Sequence, residues 1–126
     1  MSKVFKKRVA IPIYFGYLEI IICKSLSEAA GQLAKYEIRT PDSLDNYGAF
    51  TVIRRKKSGP KVYGVFLGPG CTAGLIAHEA THVKNYLFKE VGQQLDLVND
   101  EAEAYLMGWI TREIYEYYQQ KKNKLQ

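Results

Sequence analysis

The two histidines of this 126-residue chain lie four positions apart, in the segment His78-Glu79-Ala80-Thr81-His82. On an α-helix, residues i and i+4 lie one turn apart on the same face, so both imidazoles can bind one zinc ion. The glutamate beside the first histidine is then placed to deprotonate a metal-activated water molecule. Random placement of the same residues produces this motif about once in a thousand sequences. The alternative interpretation is two ordinary polar residues on an exposed helix face.

A catalytic zinc site requires a third protein ligand, and the chain contains no third histidine. Cys71 is poorly placed, because it lies at or before the start of the same helix. The next predicted helix offers Asp100, Glu101 and Glu103. Glu101 and Glu103 lie about 200° apart around a helix, so only one can face the metal. Glu103 lies on the apolar face, where zinc would satisfy a buried carboxylate, but it also fits a capping box with Asp100. Both glutamates remain candidates.

Hydrophobic periodicity predicts the elements that position these residues. Strands are predicted within 9–23, with a break near Gly16, and at 47–54 and 61–67. A hairpin at 55–60 joins the last two. Helices are predicted at 27–35, 72–91 and 100–120, and loops at 40–46 and 96–99. Strands first and helices last indicate an α+β fold: a small antiparallel sheet of about three to four strands packed on an active-site helix and a long C-terminal helix that carries the glutamates. We expect a single domain over 1–126, with a basic tail that frays at 121–126.

Composition limits the class of protein. The chain is 47% hydrophobic and 25% charged, with a net charge of +5 at pH 7, as is typical of a small globular protein. Two cysteines are too few for a secreted disulfide scaffold, and the apolar stretch before Cys23 is too short and interrupted to be a signal peptide or a membrane span. We therefore expect a cytoplasmic protein without a membrane partner. No nucleic-acid-binding module is recognisable, so the basic segment 54–57 is interpreted as a solvated hairpin tip.

The segment from Ile76 to Trp109 resembles a known family. His-Glu-x-x-His followed after eighteen residues by Glu101 is similar to the gluzincin metallopeptidases, and HEATH with DExxAYLxGW at 100–109 resembles short peptidases that bacteriophage genomes carry. The resemblance implies a minimal zincin-like fold with one Zn²⁺ per chain. It also implies a ligand set and a general base: His78, His82 and Glu101 as ligands, with Glu79 as the base.

The resemblance also suggests roles for residues around the metal. Tyr105 would stabilise the oxyanion, as a tyrosine does in several gluzincins, with ordinary packing as the alternative. Asn99 or Asp100 would orient a ligand imidazole. A strand near the active-site helix would bind extended substrate through its backbone, unless that strand is interior and already paired. The residues of that strand here are Tyr63, Gly64, Val65 and Phe66.

These observations predict a zinc-dependent metallopeptidase-like hydrolase. The resemblance implies that it is phage-encoded and acts on a peptide or protein substrate in the cytoplasm of the bacterial host. The alternative is an accessory or adaptor protein that binds zinc without turnover and has a protein partner. A nucleic-acid partner is the least favoured hypothesis, and the sequence does not predict an oligomeric state.

Overall fold

The computed structural model of the chain describes residues 4–25, 30–33, 36, 48–54 and 59–125. The predicted α+β class is confirmed, including the long C-terminal helix. None of the helices in these ranges is long and apolar enough to cross a bilayer.

Three predicted segments lie outside the described residues: the loop at 40–46, residues 55–58 of the hairpin, and both flanks of the helix at 27–35. The elements in chain order are β1 (Val4–Ala10), β2 (Tyr17–Cys23), α1 (Ala30–Leu33), β3 (Ala49–Arg54), β4 (Val62–Leu67), α2 (Ala73–Val91), α3 (Glu101–Lys121) and a 3₁₀ turn (Lys122–Lys124).

Within the described residues, four strands form one sheet in the order β1-β2-β4-β3. The pairs β1/β2 and β3/β4 are antiparallel, but β2 and β4 are parallel, with Tyr17 opposite Val62 and Ile22 opposite Leu67. The sheet is therefore mixed, and the expectation of an entirely antiparallel sheet is wrong for its central pair. The reason is that β2 pairs with β4 and not with β3, the next strand in the chain. The chain between β2 and β4 crosses back to the starting end of the sheet, so β4 runs in the same direction as β2.

The first strand begins at Val4, five residues earlier than the sequence pattern predicts. The missed part contains consecutive basic residues, which are typical of sheet edges because they discourage further strand pairing. Two of these basic residues form ion pairs. Nζ of Lys7 lies 3.5 Å from the carboxylate of Glu113, and Nη2 of Arg8 lies 2.7 Å from that of Glu19. The basic N-terminal segment is thus part of the sheet.

The sheet is covered on both faces by apolar side chains, which explains why β2 and β4 are almost continuously buried. The face toward α2 and α3 contributes residues that alternate along the central strands, namely Leu18, Ile20, Ile22, Tyr63, Val65 and Leu67. The helices contribute Ile76, Val83, Leu87, Ile110 and Ile114 to this main core. The other face forms a second cluster with Leu33 and Tyr36.

The C-terminal end continues α3 as regular structure. Residues 122–124 form a 3₁₀ turn after α3, and Leu125 is buried at 5% exposure within the main core. Burial of Leu125 opposes fraying, because its apolar surface offsets the entropy of ordering the turn. The fraying of 121–126 stays a prediction, and residue 126 lies outside the described residues.

Candidate metal centre

The helix α2 presents the histidines on its exposed side. It begins after Thr72, whose side chain accepts a hydrogen bond from the Leu75 amide, and it ends at Gly92, which has the left-handed conformation with φ 72°. The apolar residues of the helix face the sheet and α3, so His78 and His82 remain exposed. The predicted helix at 72–91 is thus confirmed, and both histidines lie on one face of it.

The two imidazoles converge. The Nε2 atoms of His78 and His82 are 3.2 Å apart, and the side chain of His78 is 64% exposed. Two nitrogens bound at about 2.0–2.1 Å to a tetrahedral zinc ion would lie about 3.3 Å apart. The separation matches that of two nitrogens in adjacent positions of a tetrahedral metal site, and the same contact also meets the geometry of a hydrogen bond between the two imidazoles.

The glutamate of the motif is buried beside this pair. Glu79 is 4% exposed, and its Oε1 accepts a hydrogen bond of 2.8 Å from the hydroxyl of Thr51 in β3. Its other carboxylate oxygen, Oε2, lies 3.9 Å from Nε2 of His78. The hydroxyl of Thr51 thus fixes one oxygen of Glu79, and the second oxygen is next to the histidine nitrogens.

The third predicted ligand is not assembled with the histidines. Glu101 is the first residue of α3 and is exposed. Within the ranges that the structure describes, no group of three or more His, Cys, Asp or Glu residues is positioned to hold a metal ion. The geometry therefore brings His78, Glu79 and His82 together, and the role of Glu101 stays a prediction.

The alternative ligand, Glu103, has another partner. Its Oε1 lies 3.2 Å from Nζ of Lys84, a lysine that is only 7% exposed, and its Oε2 is buried without a hydrogen-bond partner. The predicted capping box is wrong, because Asp100 makes no side-chain cap hydrogen bond. Since Glu103 faces Lys84 and Glu101 lies about 200° around the helix from it, Glu101 points to the opposite side of α3.

The residues predicted to assist the metal are exposed. Tyr105 is 77% exposed and lines a groove against the loop between β1 and β2, and Asn99 donates its amide to Asp96 Oδ1 at 3.2 Å. Among the described contacts, none joins Asn99, Asp100 or Tyr105 to either histidine. Their predicted roles in the chemistry therefore stay predictions.

The strand predicted to bind substrate is in the wrong place for that role. β4 lies between β2 and β3, so the backbone of its residues is paired on both sides. The outer strand beside α2, within the described part of the sheet, is β3. The expectation that an edge strand is formed by Tyr63, Gly64, Val65 and Phe66 is therefore wrong; the register of a parallel central pair cannot be deduced from local pattern.

Sequence reasoning missed two residues that contact carboxylates at or near the site. Thr51 reaches Glu79 from the neighbouring strand, and Lys84 holds the carboxylate of Glu103. The only sequence signal for Thr51 is its polar side chain within an apolar strand. Burial and the nearby charge of Glu79 raise the pKa of the Cys71 thiol to about 11, which disfavours its thiolate when no metal ion is bound.

No family model, no curated protein and no solved structure matches this chain. The assignment of the centre therefore depends on its own residues: two convergent imidazoles on one helix and a buried carboxylate held beside them by the adjacent strand.

Proposed function

We propose that the protein is a zinc-dependent hydrolase of peptide bonds in which His78, His82 and Glu101 bind the metal ion. The observation that carries this proposal is the 3.2 Å separation of the two Nε2 atoms with the Glu79 carboxylate adjacent to them. Glu101 is kept as the third ligand because the carboxylate of Glu103 is already paired with Lys84. In the described structure Glu101 points away from α2, so metal binding requires the first turn of α3 to rotate toward the histidines. Bound zinc would lower the pKa of a water molecule and polarise the substrate carbonyl.

The protein's own groups have distinct tasks in this proposal. Glu79 accepts the proton of the attacking water at Oε2 and transfers it to the departing amine. Thr51 holds Oε1 of the same carboxylate, which keeps Oε2 directed toward the histidines. Burial of Glu79 limits the side-chain rotamers that would take the base out of position.

The substrate surface is assigned to β3 instead of β4. An outer strand can accept an extended peptide as an additional strand through its main-chain groups. β3 contacts α2 and carries Thr51, so a peptide aligned on its outer edge would pass beside Glu79. We also propose that the protein acts in the cytoplasm, that of the bacterial host if it is phage-encoded, because two cysteines are too few for a secreted disulfide scaffold.

The first test is zinc content by elemental mass spectrometry. We expect one zinc ion per chain in the wild type, loss in Glu101→Ala, and retention in Glu103→Ala and in the control Glu116→Ala, an exposed glutamate on the same helix. Loss in Glu103→Ala alone would move the third ligand to Glu103. An absence of zinc after reconstitution of the wild type would refute the metal site.

The second test separates binding from turnover. Glu79→Gln is expected to retain zinc but to lose cleavage of a peptide library read by mass spectrometry. Bound zinc in a wild type that cleaves no peptide would favour the second candidate, a non-catalytic adaptor with a protein partner. The observation in favour of that candidate is that the described residues gather two metal-binding side chains but not three.

A further inference from the structure

A groove beside α3 is lined by none of the residues used in the proposed hydrolysis. It has a volume of about 420 Å³ and lies between α3 and the loop that joins β1 to β2. Its lining is mainly apolar, with one cation. Its lining includes Pro12, Ile13 and Tyr14 from the loop, and Tyr105, Trp109 and Arg112 from α3.

The loop is held in an unusual conformation that displays apolar side chains. Ile13 has φ 68°, and the Tyr14 amide donates to the Pro12 carbonyl at 2.6 Å. This is a γ-turn with positive φ, the rarer and more strained of the two γ-turn forms, and a β-branched residue is especially disfavoured there. The strain coincides with full exposure of the Ile13 side chain, and Phe15 is 72% exposed.

The loop is nevertheless anchored. The Tyr14 hydroxyl donates to Gln93 Oε1 at 2.8 Å, and the Tyr14 ring lies 6.2 Å from that of Phe88. Tyr14 therefore points inward, and the residues on both sides of it point outward. A strained turn that is anchored through Tyr14 keeps Ile13 and Phe15 in solvent, where folding alone gives them no benefit.

Further large apolar side chains are exposed on α3 and before its start. Tyr105, which lines the groove, is 77% exposed, and the connection after Gln93 exposes Leu97 at 83% and Val98 at 97%. Exposed apolar side chains beside a groove are typical of an interaction site for another protein. Because the loop supplies one wall of the groove and α3 the other, the groove suits an extended chain segment.

The charge at the groove indicates the chemistry of that segment. Arg112 lines the groove, and none of the ion pairs in the described part of the chain involves it. The chain as a whole carries a net charge of +5, which disfavours a second copy and favours an acidic partner. We infer that the groove binds a segment of a partner protein in which a large apolar side chain lies next to a carboxylate, the carboxylate pairing with Arg112. This inference does not depend on the metal centre.

The test uses a random twelve-residue peptide library, displayed on messenger RNA and selected against the wild-type protein. We expect enrichment of peptides with an aromatic or large aliphatic residue adjacent to Asp or Glu. Trp109 is the only tryptophan of the chain, so titration with a selected peptide should change its fluorescence. No enrichment, enrichment of peptides without acidic residues, or unchanged Trp109 emission would overturn the inference.

Variants locate the binding. Ile13→Ser and Arg112→Gln, which alter two residues of the groove lining, are expected to weaken binding of the selected peptide by about fivefold or more, and Tyr115→Ser, an exposed aromatic control on α3, should not. Arg112→Glu should bind the peptide whose acidic residue is replaced by lysine better than the original peptide. Failure of that charge exchange would overturn the proposed occupant. So would a sedimentation assay in which the wild type dimerises and the groove variants do not, or a vesicle assay in which the wild type binds lipid and the groove variants do not.

Discussion

The buried carboxylate of Glu19 allows a quantitative test of the fold. Glu19 is 1% exposed in the middle of β2, and its Oε1 accepts a hydrogen bond of 2.6 Å from the hydroxyl of Tyr36. Its Oε2 accepts from Arg8 Nε at 2.8 Å. Tyr36→Phe removes the hydroxyl alone and leaves Oε1 buried without that donor. A hydrogen bond to a charged group contributes about 1.5–3 kcal/mol, so we expect a loss of that size in the free energy of unfolding at pH 7.

The loss should depend on pH. Burial acts to raise the pKa of Glu19, but the hydrogen bonds from Tyr36 and Arg8 outweigh it and hold the pKa below its ordinary value of 4.5. A group whose pKa is lower in the folded state contributes stability that is present above the unfolded pKa and is lost as the pH falls through the folded pKa. The difference between wild type and Tyr36→Phe should therefore shrink on acidification below about pH 4.5.

The assay is denaturant unfolding of wild type and Tyr36→Phe at a series of pH values, followed by circular dichroism. Tyr115→Phe is the control, because Tyr115 is 45% exposed and should be insensitive. Equal stabilities for wild type and Tyr36→Phe at pH 7 would refute the assigned hydrogen bond. A loss that stays constant into the acidic range would refute the coupling to the charge of Glu19.

Three further changes test other contacts. Thr51→Val removes the donor to Glu79, and a lost hydrogen bond of about 1.5 kcal/mol to the proposed base predicts about tenfold slower peptide cleavage with unchanged zinc content. Gly64→Ala places a Cβ 2.6 Å from ring atoms of Tyr36, so we expect about 1–3 kcal/mol of destabilisation in chemical unfolding. Leu125→Ala should lower stability by about 2 kcal/mol because the side chain is buried at the chain end, measured as a lower denaturant midpoint.

Matched variants control for the substitutions themselves. Thr81→Val alters an exposed threonine on α2 that bonds only within its own helix, and it should leave cleavage unchanged. Gly31→Ala adds a Cβ with no atom within 4 Å and should not destabilise. Lys124→Ala shortens an exposed side chain beside Leu125. Any control as damaging as its test variant would contradict the corresponding contact.

Local pattern predicted the two long helices because their apolar residues recur at helical spacing. It also predicted His78, Glu79 and His82 as one group, since residues one turn apart are neighbours in any helix. The hairpin of β3 and β4 was likewise accessible, because its two strands are consecutive.

The remaining features depend on contacts between distant parts of the chain. The parallel pairing of β2 with β4 joins strands that are not consecutive in the chain, so the choice between an edge and an interior position for β4 stayed open and the contact of Thr51 with Glu79 could not be predicted. The extent of β1 was missed because basic residues mask a strand whose outward side faces solvent. The pairing of Glu103 with Lys84 required the relative rotation of α2 and α3.

The parallel central pair also bears on how the chain folds. β1 with β2, β3 with β4, and α2 with α3 are each neighbours in sequence, so these three hairpins can form early through short loops. The contact of Tyr17 with Val62 must close a much longer loop, and it joins the first hairpin to the rest. A ribosome adds about 5–20 residues per second, so roughly 5–20 s pass between the synthesis of the apolar strand β2 and that of the end of α3, which covers it. Its exposed aliphatic surface during that interval is where a molecular chaperone would act on the nascent chain.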